Sequence, residues 1–290
     1  MEKNKSVSYS QYSVYKNCQY RWYLDYIKKL SPFKPSIHLI FGTAFHETLQ
    51  NYIQVMFDKS ATEADKINLP FYFKTKFIEL YKQNSVSGHF STPEELNEFY
   101  LDAEAILEFF KRKRNLYFSK KNTKLVGIEV PILEPILNEV ENVKFKGFID
   151  LVLYDKVLKK YTIYDFKTST RGWSDQYEKK DQTKINQILL YKRKFAEMKK
   201  VSEDDIDVKF FILRRKINED AEFVAKRIQE FIPANGTKKV REAIEDVQDF
   251  MRNVFTPGGE YQDKEYPKSI NKCKFCPYLD RPDLCDRKNS

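Results

Sequence analysis

The chain has 290 residues, enough for one large domain with a sizeable buried core. Its 51 Lys and Arg outnumber its 42 Asp and Glu, and the net charge of +9 favours a polyanionic partner. No apolar run is long enough to cross a bilayer and Met1–Lys5 is polar, so no membrane association is expected, and the predicted compartment is the cytoplasm, or a nucleus or organelle in a eukaryotic host.

In chain order, Ser8 and Gln11 form a capping-box pattern that opens a helix carrying Tyr12, Tyr15, Gln19, Trp22 and Tyr26 at helical spacing, with Cys18 on it. Residues 31–35 hold two prolines and break the chain. A second helix is predicted from near Thr43 toward Phe57. Residues 60–118 read as helical, with a break at 84–93 and a long charged helix over 94–117. Within 58–124 this block is predicted to be a helical insertion. A strand is expected at 125–133, two more at 145–154 and 161–168, a helix from Asp181 to Lys199, a strand at 207–213 and a last helix at 238–254. A loop with Pro and Gly then leads to Cys273, Cys276 and Cys285. No internal repeat is present, and the alternation of helix and strand predicts an α/β fold around a small mixed sheet.

The two runs at 145–154 and 161–168 carry the chemistry. Side chains alternate along a strand, so Asp165 and Lys167 share a face with Ile163 while Phe166 points the other way. A hairpin that pairs Tyr154 with Tyr161 sets Asp150 opposite Asp165. Two facing carboxylates repel, and burying either one unpaired is costly. A divalent cation between them removes both penalties. The triplet alone is equally compatible with a rim carboxylate and a surface Asp-x-Lys ion pair.

Gly147-Phe148-Ile149-Asp150 followed by Asp165-Phe166-Lys167 resembles the PD-(D/E)XK nuclease superfamily, and within it the branch of CRISPR-associated RecB-like exonucleases and AddB/RecB-type nuclease domains. Phe41–Leu49, with Gly42 and His46, is similar to that branch's Gly-x-x-x-His element. Gln187 and Tyr191 match its Gln-x-x-x-Tyr motif. Cys18, Cys273, Cys276 and Cys285 resemble its four-cysteine iron–sulfur staple, with eight residues between the last two cysteines where the family usually has fewer. The family often has Glu at the position of Asp165.

The resemblance implies a restriction-endonuclease-like core spanning 1–290, with the helical insertion and a staple made by residue 18 and 273–285. It implies a metal-dependent DNA nuclease, foremost an exonuclease on single-stranded or resected DNA in recombination, repair, phage replication or CRISPR spacer processing. A structure-specific or duplex endonuclease is the alternative enzyme, and a DNA-binding assembly module of a helicase or integrase complex is the alternative of another class. A helicase, recombinase or integrase partner is therefore expected; the chain has no phosphate-binding Gly-x-x-x-x-Gly-Lys-Ser/Thr loop of its own.

In that frame Asp150 and Asp165, the Phe166 carbonyl and His46 hold Mg²⁺ or Mn²⁺, the imidazole tilting the preference toward Mn²⁺. Lys167 orients the attacking water and stabilises the phosphorane charge, while Gln187 and Tyr191 contact that water or the DNA backbone. Glu129 is a candidate supporting acid. The four cysteines carry a 4Fe-4S cluster, or zinc as the alternative. Arg214, Arg215 and Lys216 are candidate DNA-binding residues, and Lys111–Arg114, Lys120, Lys121 and Lys124 make further basic clusters.

Overall fold

The long strand β3 (Val143–Asp155) organises the molecule. The computed structural model describes residues 5–31, 35–85, 88–119, 121–222, 224–269, 273 and 276–286; residues 32–34 of the expected break and Lys120 lie outside them. One edge of β3 carries β2 (Thr123–Glu134) in antiparallel register along most of its length. The other edge is shared. There β1 (Lys5–Ser8) runs parallel to 143–146, and β4 (Lys160–Ser169) runs antiparallel to 151–155. Among the described residues, no strand pairs with 147–150 on that edge. β5 (Ile206–Arg214) pairs in parallel with β4, and β6 (Ile228–Phe231) closes the order β1-β3-β4-β5-β6. This is a mixed sheet flanked by helices, consistent with a restriction-endonuclease-like fold.

The hairpin register is the expected one, with Tyr154 opposite Tyr161. Asp155 fixes the turn, its Oδ1 accepting from the backbone N–H groups of Val157 and Leu158 at 2.8 and 2.9 Å. Alternation along β4 sends Ile163 into one core and Tyr164 and Phe166 into the other.

Each sheet face buries its own set of helices. On the first lie α1 (Tyr9–Asn17), with α2 (Gln19–Trp22) following it, and later α7 (Gln182–Lys199) and α8 (Thr237–Val254). Val240, Ala243, Val247, Phe250 and Val254 recur every three or four residues and, with Met251 beside them, make the buried stripe of α8. On the second face lie α3 (Ile37–Asp58), α4 (Ala61–Asp65), α5 (Leu69–Asn84) and α6 (Pro93–Tyr117). Among the described residues no helix is long and apolar enough to cross a membrane.

Three features differ from the sequence expectation. The first helix is not continuous: Cys18 is extended (φ −162°, ψ 114°), ends α1 and caps α2 through its thiol, which accepts from the Arg21 N–H at 3.4 Å. α3 begins six residues before Thr43, because Ile37, Ile40 and Phe41 extend its buried stripe. β1 and β6 have four residues each, too few to display a period in sequence.

Candidate active site

The ladder between β3 and β4 ends at Leu151–Tyr164, one step short of Asp150 and Asp165. Beyond that point the backbone N–H of Phe166 donates instead to Asp150 Oδ2 at 2.6 Å. The carboxylate thus replaces a strand partner where the two strands part, which locks its orientation. Asp165 is 3% exposed, and its Oδ2 makes no hydrogen bond among the described residues. Lys167 Nζ lies 2.7 Å from that oxygen, an ion pair out of hydrogen-bond alignment.

Burial pushes the pKa of both Asp150 and Asp165 up to about 6, against the pull of the Lys167 ammonium. Burial alone would lower Lys167, but Asp165 and Asp150 outweigh it and hold its pKa above the ordinary range. At neutral pH the site therefore concentrates two ionised carboxylates around one ammonium, one negative charge in excess. That excess suits a divalent cation.

α3 supplies the facing wall. Gly42 allows the close approach: a Cβ there would lie 3.3 Å from Thr168 Oγ1. His46, one turn on, points its Nδ1 at Asp150 Oδ1 across 3.8 Å and sets its ring edge-on to Phe166. Burial, then the charge of Lys167, pushes His46 down to about 4, so the imidazole is neutral and this contact is not an ion pair. A neutral ring keeps a lone pair for a metal, and two bonds of about 2 Å to one cation span such a gap.

Gln50, a further turn along, went unnoticed in the sequence although its spacing from His46 places it on the same helix face. It donates to Glu129 Oε1 at 2.5 Å and, more weakly, to the Asp150 carbonyl at 3.5 Å. Glu129 has φ +49°, rare in a strand. Core contacts change sides there: Ile128 and Leu151 pack on the α3 side, Val130 and Ile149 on the other. His38, Leu39, Gly42, Thr43, His46, Glu47, Gln50, Glu129 and Phe166–Thr168 line a cleft of about 540 Å³.

Gln187 and Tyr191 sit behind the lysine. Gln187 Oε1 accepts from Lys167 Nζ at 3.2 Å, and its Nε2 donates to the Tyr191 hydroxyl at 3.2 Å. Tyr191 is buried, its phenol pushed up to about 12 by burial and then by Asp165. It packs so tightly on Gly147 that a Cβ there would stand 2.9 Å from its ring. In this arrangement the pair aims the lysine rather than lining the cleft.

The basic residues after β5 have acidic partners on α6. Arg215 is 6% exposed, stacks 3.4 Å from the centre of Phe99 and faces Asp102 at 3.7 Å. Lys216 pairs with Glu98 and Asp102 at 2.8 and 2.9 Å. Both charges anchor α6 to the end of β5. Arg114 likewise bonds Tyr52 and Asp65. Arg215→Ala is expected to leave Asp102 buried with less compensation and lower stability by about 2–4 kcal/mol in chemical denaturation, with little change in the salt dependence of DNA binding. An unchanged denaturation midpoint with a flatter salt slope would restore the DNA-contact role.

The cysteine segments meet. The Tyr20 N–H donates to the Pro267 carbonyl at 3.1 Å, its hydroxyl to the Leu284 carbonyl at 3.0 Å, and the Tyr278 hydroxyl to Asp25 at 2.6 Å. Burial pushes the Cys285 thiol up, and beyond a lowering by Lys268 it also feels Cys18, Cys276 and Cys273. Among the described residues no group of three or more His, Cys, Asp or Glu side chains is placed to hold a metal ion.

The raised carboxylate pKa values set a pH dependence. A folded-state pKa of about 6 lies above the unfolded value, so these groups favour folding below about pH 4 and that contribution is lost as pH rises through 6. In EDTA-treated protein the rise in Tm caused by added Mn²⁺ is therefore expected to be near zero at pH 5 and about 5 °C or more at pH 7.5. A shift independent of pH would exclude these carboxylates as ligands.

A family model described as PD-(D/E)XK nuclease superfamily matches residues 6–281. No curated protein matches the chain. Among solved structures, one titled "Crystal structure of SSO0001" is similar over 91% of this chain and 93% of that one, at 15% identity and a TM-score of 0.33.

Proposed function

The chain belongs to the PD-(D/E)XK nuclease superfamily, whose members usually use Mg²⁺ or Mn²⁺, and from this premise we propose that it is an exonuclease on single-stranded or resected DNA. The observation that carries the catalytic part is the parting of β3 and β4 around Asp150, Asp165 and Lys167, with His46 across the gap. The preference for DNA ends follows the order of Gly42/His46, Asp150, Asp165/Lys167, Gln187/Tyr191 and the cysteines, which resembles the RecB-like branch.

Asp150, Asp165, His46 and the Phe166 carbonyl would hold the ion. When bound, Mg²⁺ or Mn²⁺ polarises the scissile phosphate and makes water a competent nucleophile. The chain's own groups do the positioning. The Phe166 N–H fixes Asp150, and Gln187 fixes Lys167. Lys167 offers a half-buried ammonium, held charged at neutral pH by Asp165 and Asp150, for the charge that grows on the phosphate oxygens. Gln50 holds Glu129 at the cleft wall, where its carboxylate keeps the entrance polar.

We assign the four cysteines to a 4Fe-4S cluster, with a zinc ion as the alternative, on the strength of the contacts that join Tyr20 and Asp25 to the C-terminal segment. A site of action in the cytoplasm, or in a nucleus or organelle, and a helicase, recombinase or integrase partner belong to the same proposal.

Digestion of end-labelled DNA tests it. Activity requiring Mg²⁺ or Mn²⁺, abolished by EDTA and releasing label as mononucleotides from single strands, is the expected result. Label spread over internal fragments of duplex would make the enzyme an endonuclease, and no cleavage in either metal would leave a DNA-binding module.

A further inference from the structure

An exposed apolar strip runs away from Asp150 along β2 and β3. The register pairs Pro131 with Phe148 and Leu133 with Lys146. Glu129 and Asp150 fall between the paired positions Ile128–Leu151 and Val130–Ile149. Ile132, Phe145 and Ile149 turn into the core beneath, so Pro131, Leu133, Lys146 and Phe148 face outward. Phe148 is 45% exposed and Leu133 53% exposed, and Lys146 Nζ stands 5.9 Å from the centre of the Phe148 ring. Phe148 is one pleat repeat, about 7 Å, from Asp150.

We propose that Phe148, flanked by Pro131 and Leu133 and capped by Lys146, is a base-stacking subsite for the unpaired strand that enters the cleft. The proposal rests on the nuclease reading of the cleft and adds where the strand lies. The strip adjoins the cleft, because Glu129, which lines the cleft wall, stands two residues before Pro131 on β2. An aromatic face with an ammonium beside it matches a nucleotide, the ring taking the base and the lysine the adjacent phosphate. A paired base within a duplex has no free face to offer, so the subsite selects single strands.

Binding of single-stranded oligodeoxynucleotides, measured in Ca²⁺ with an abasic site moved along the strand, tests the proposal. The wild-type protein is expected to show one position at which loss of the base weakens binding about tenfold. Phe148→Ala should weaken the intact strand by the same factor and erase the abasic effect, Phe148→Trp should keep both, and Lys146→Ala should reduce the salt slope by about one. Intact-strand affinity unchanged in Phe148→Ala overturns the subsite, and a change in that variant's sedimentation alone reassigns the strip to contact between copies of the chain. The two readings fail separately: a wild-type protein that never cleaves in Mn²⁺ sinks the nuclease assignment, while this binding series still decides the strip.

Discussion

Lys167→Ala is expected to slow single-turnover cleavage by about 10³-fold while leaving Mn²⁺ binding in place. The lysine is the ammonium that stands, among the described residues, beside two carboxylates that burial has made reluctant to ionise. Its loss removes the donor aimed at the developing charge on the phosphate, and a preorganised donor of that kind carries about two to three orders of magnitude. It also strands Asp165, whose buried oxygen then has no counter-charge, so the metal-free variant should lose about 3 kcal/mol of stability. Mn²⁺ should restore most of that loss, since the ion supplies the missing positive charge. The pairing of a dead enzyme with a metal-rescued fold separates chemistry from structure. A variant that cleaves at near wild-type rate, or whose stability ignores Mn²⁺, would remove Lys167 from the site.

Cys18→Ser and Cys285→Ser are expected to act alike although 266 residues lie between them. If both thiolates share one centre, losing either should release bound metal and uncouple the C-terminal segment from α1 and α2. The contacts of Tyr20 with Pro267 and Leu284, and of Tyr278 with Asp25, would then be left to hold the two segments alone. A shared centre stabilises by closing a long loop, and its loss should lower Tm by about 10 °C in each variant. Iron with acid-labile sulfide and a brown colour identifies a cluster, and stoichiometric zinc without visible absorption identifies the alternative. Small, unequal effects with no bound metal in the wild-type protein would end the shared-centre assignment and leave the cleft untouched.

The strands that carry Asp150, Asp165 and Lys167 were legible because alternation and burial cost act locally: Asp165 and Lys167 sort onto one face and Phe166 onto the other by parity alone, whereas a six-residue connection does not by itself fix the Tyr154–Tyr161 register that the structure shows. What the sequence hid was set by distant partners. The parting of the strands at Asp150 arises because β1 and β4 divide one edge of β3, and β1 is too short to announce itself. Glu129 appeared as a strand residue, but its left-handed backbone and its bond to Gln50 depend on how α3 crosses β2. Arg215 and Lys216 appeared as free positive charge because their partners, Asp102 and Glu98, lie on α6. Charge is visible in a sequence; its neutralisation is not. Cys18 was placed on a helix, whereas the structure uses it to end one and cap the next.

The most direct test is single-turnover cleavage of a labelled single-stranded oligonucleotide as Mn²⁺ is titrated, with the wild-type protein beside folded Asp165→Ala. The wild-type rate is expected to rise and saturate with Mn²⁺ while the variant stays at the buffer background at every concentration. A variant that follows the wild-type curve would contradict the assignment of Asp165 as the metal-holding carboxylate, and with it the cleft as the catalytic site.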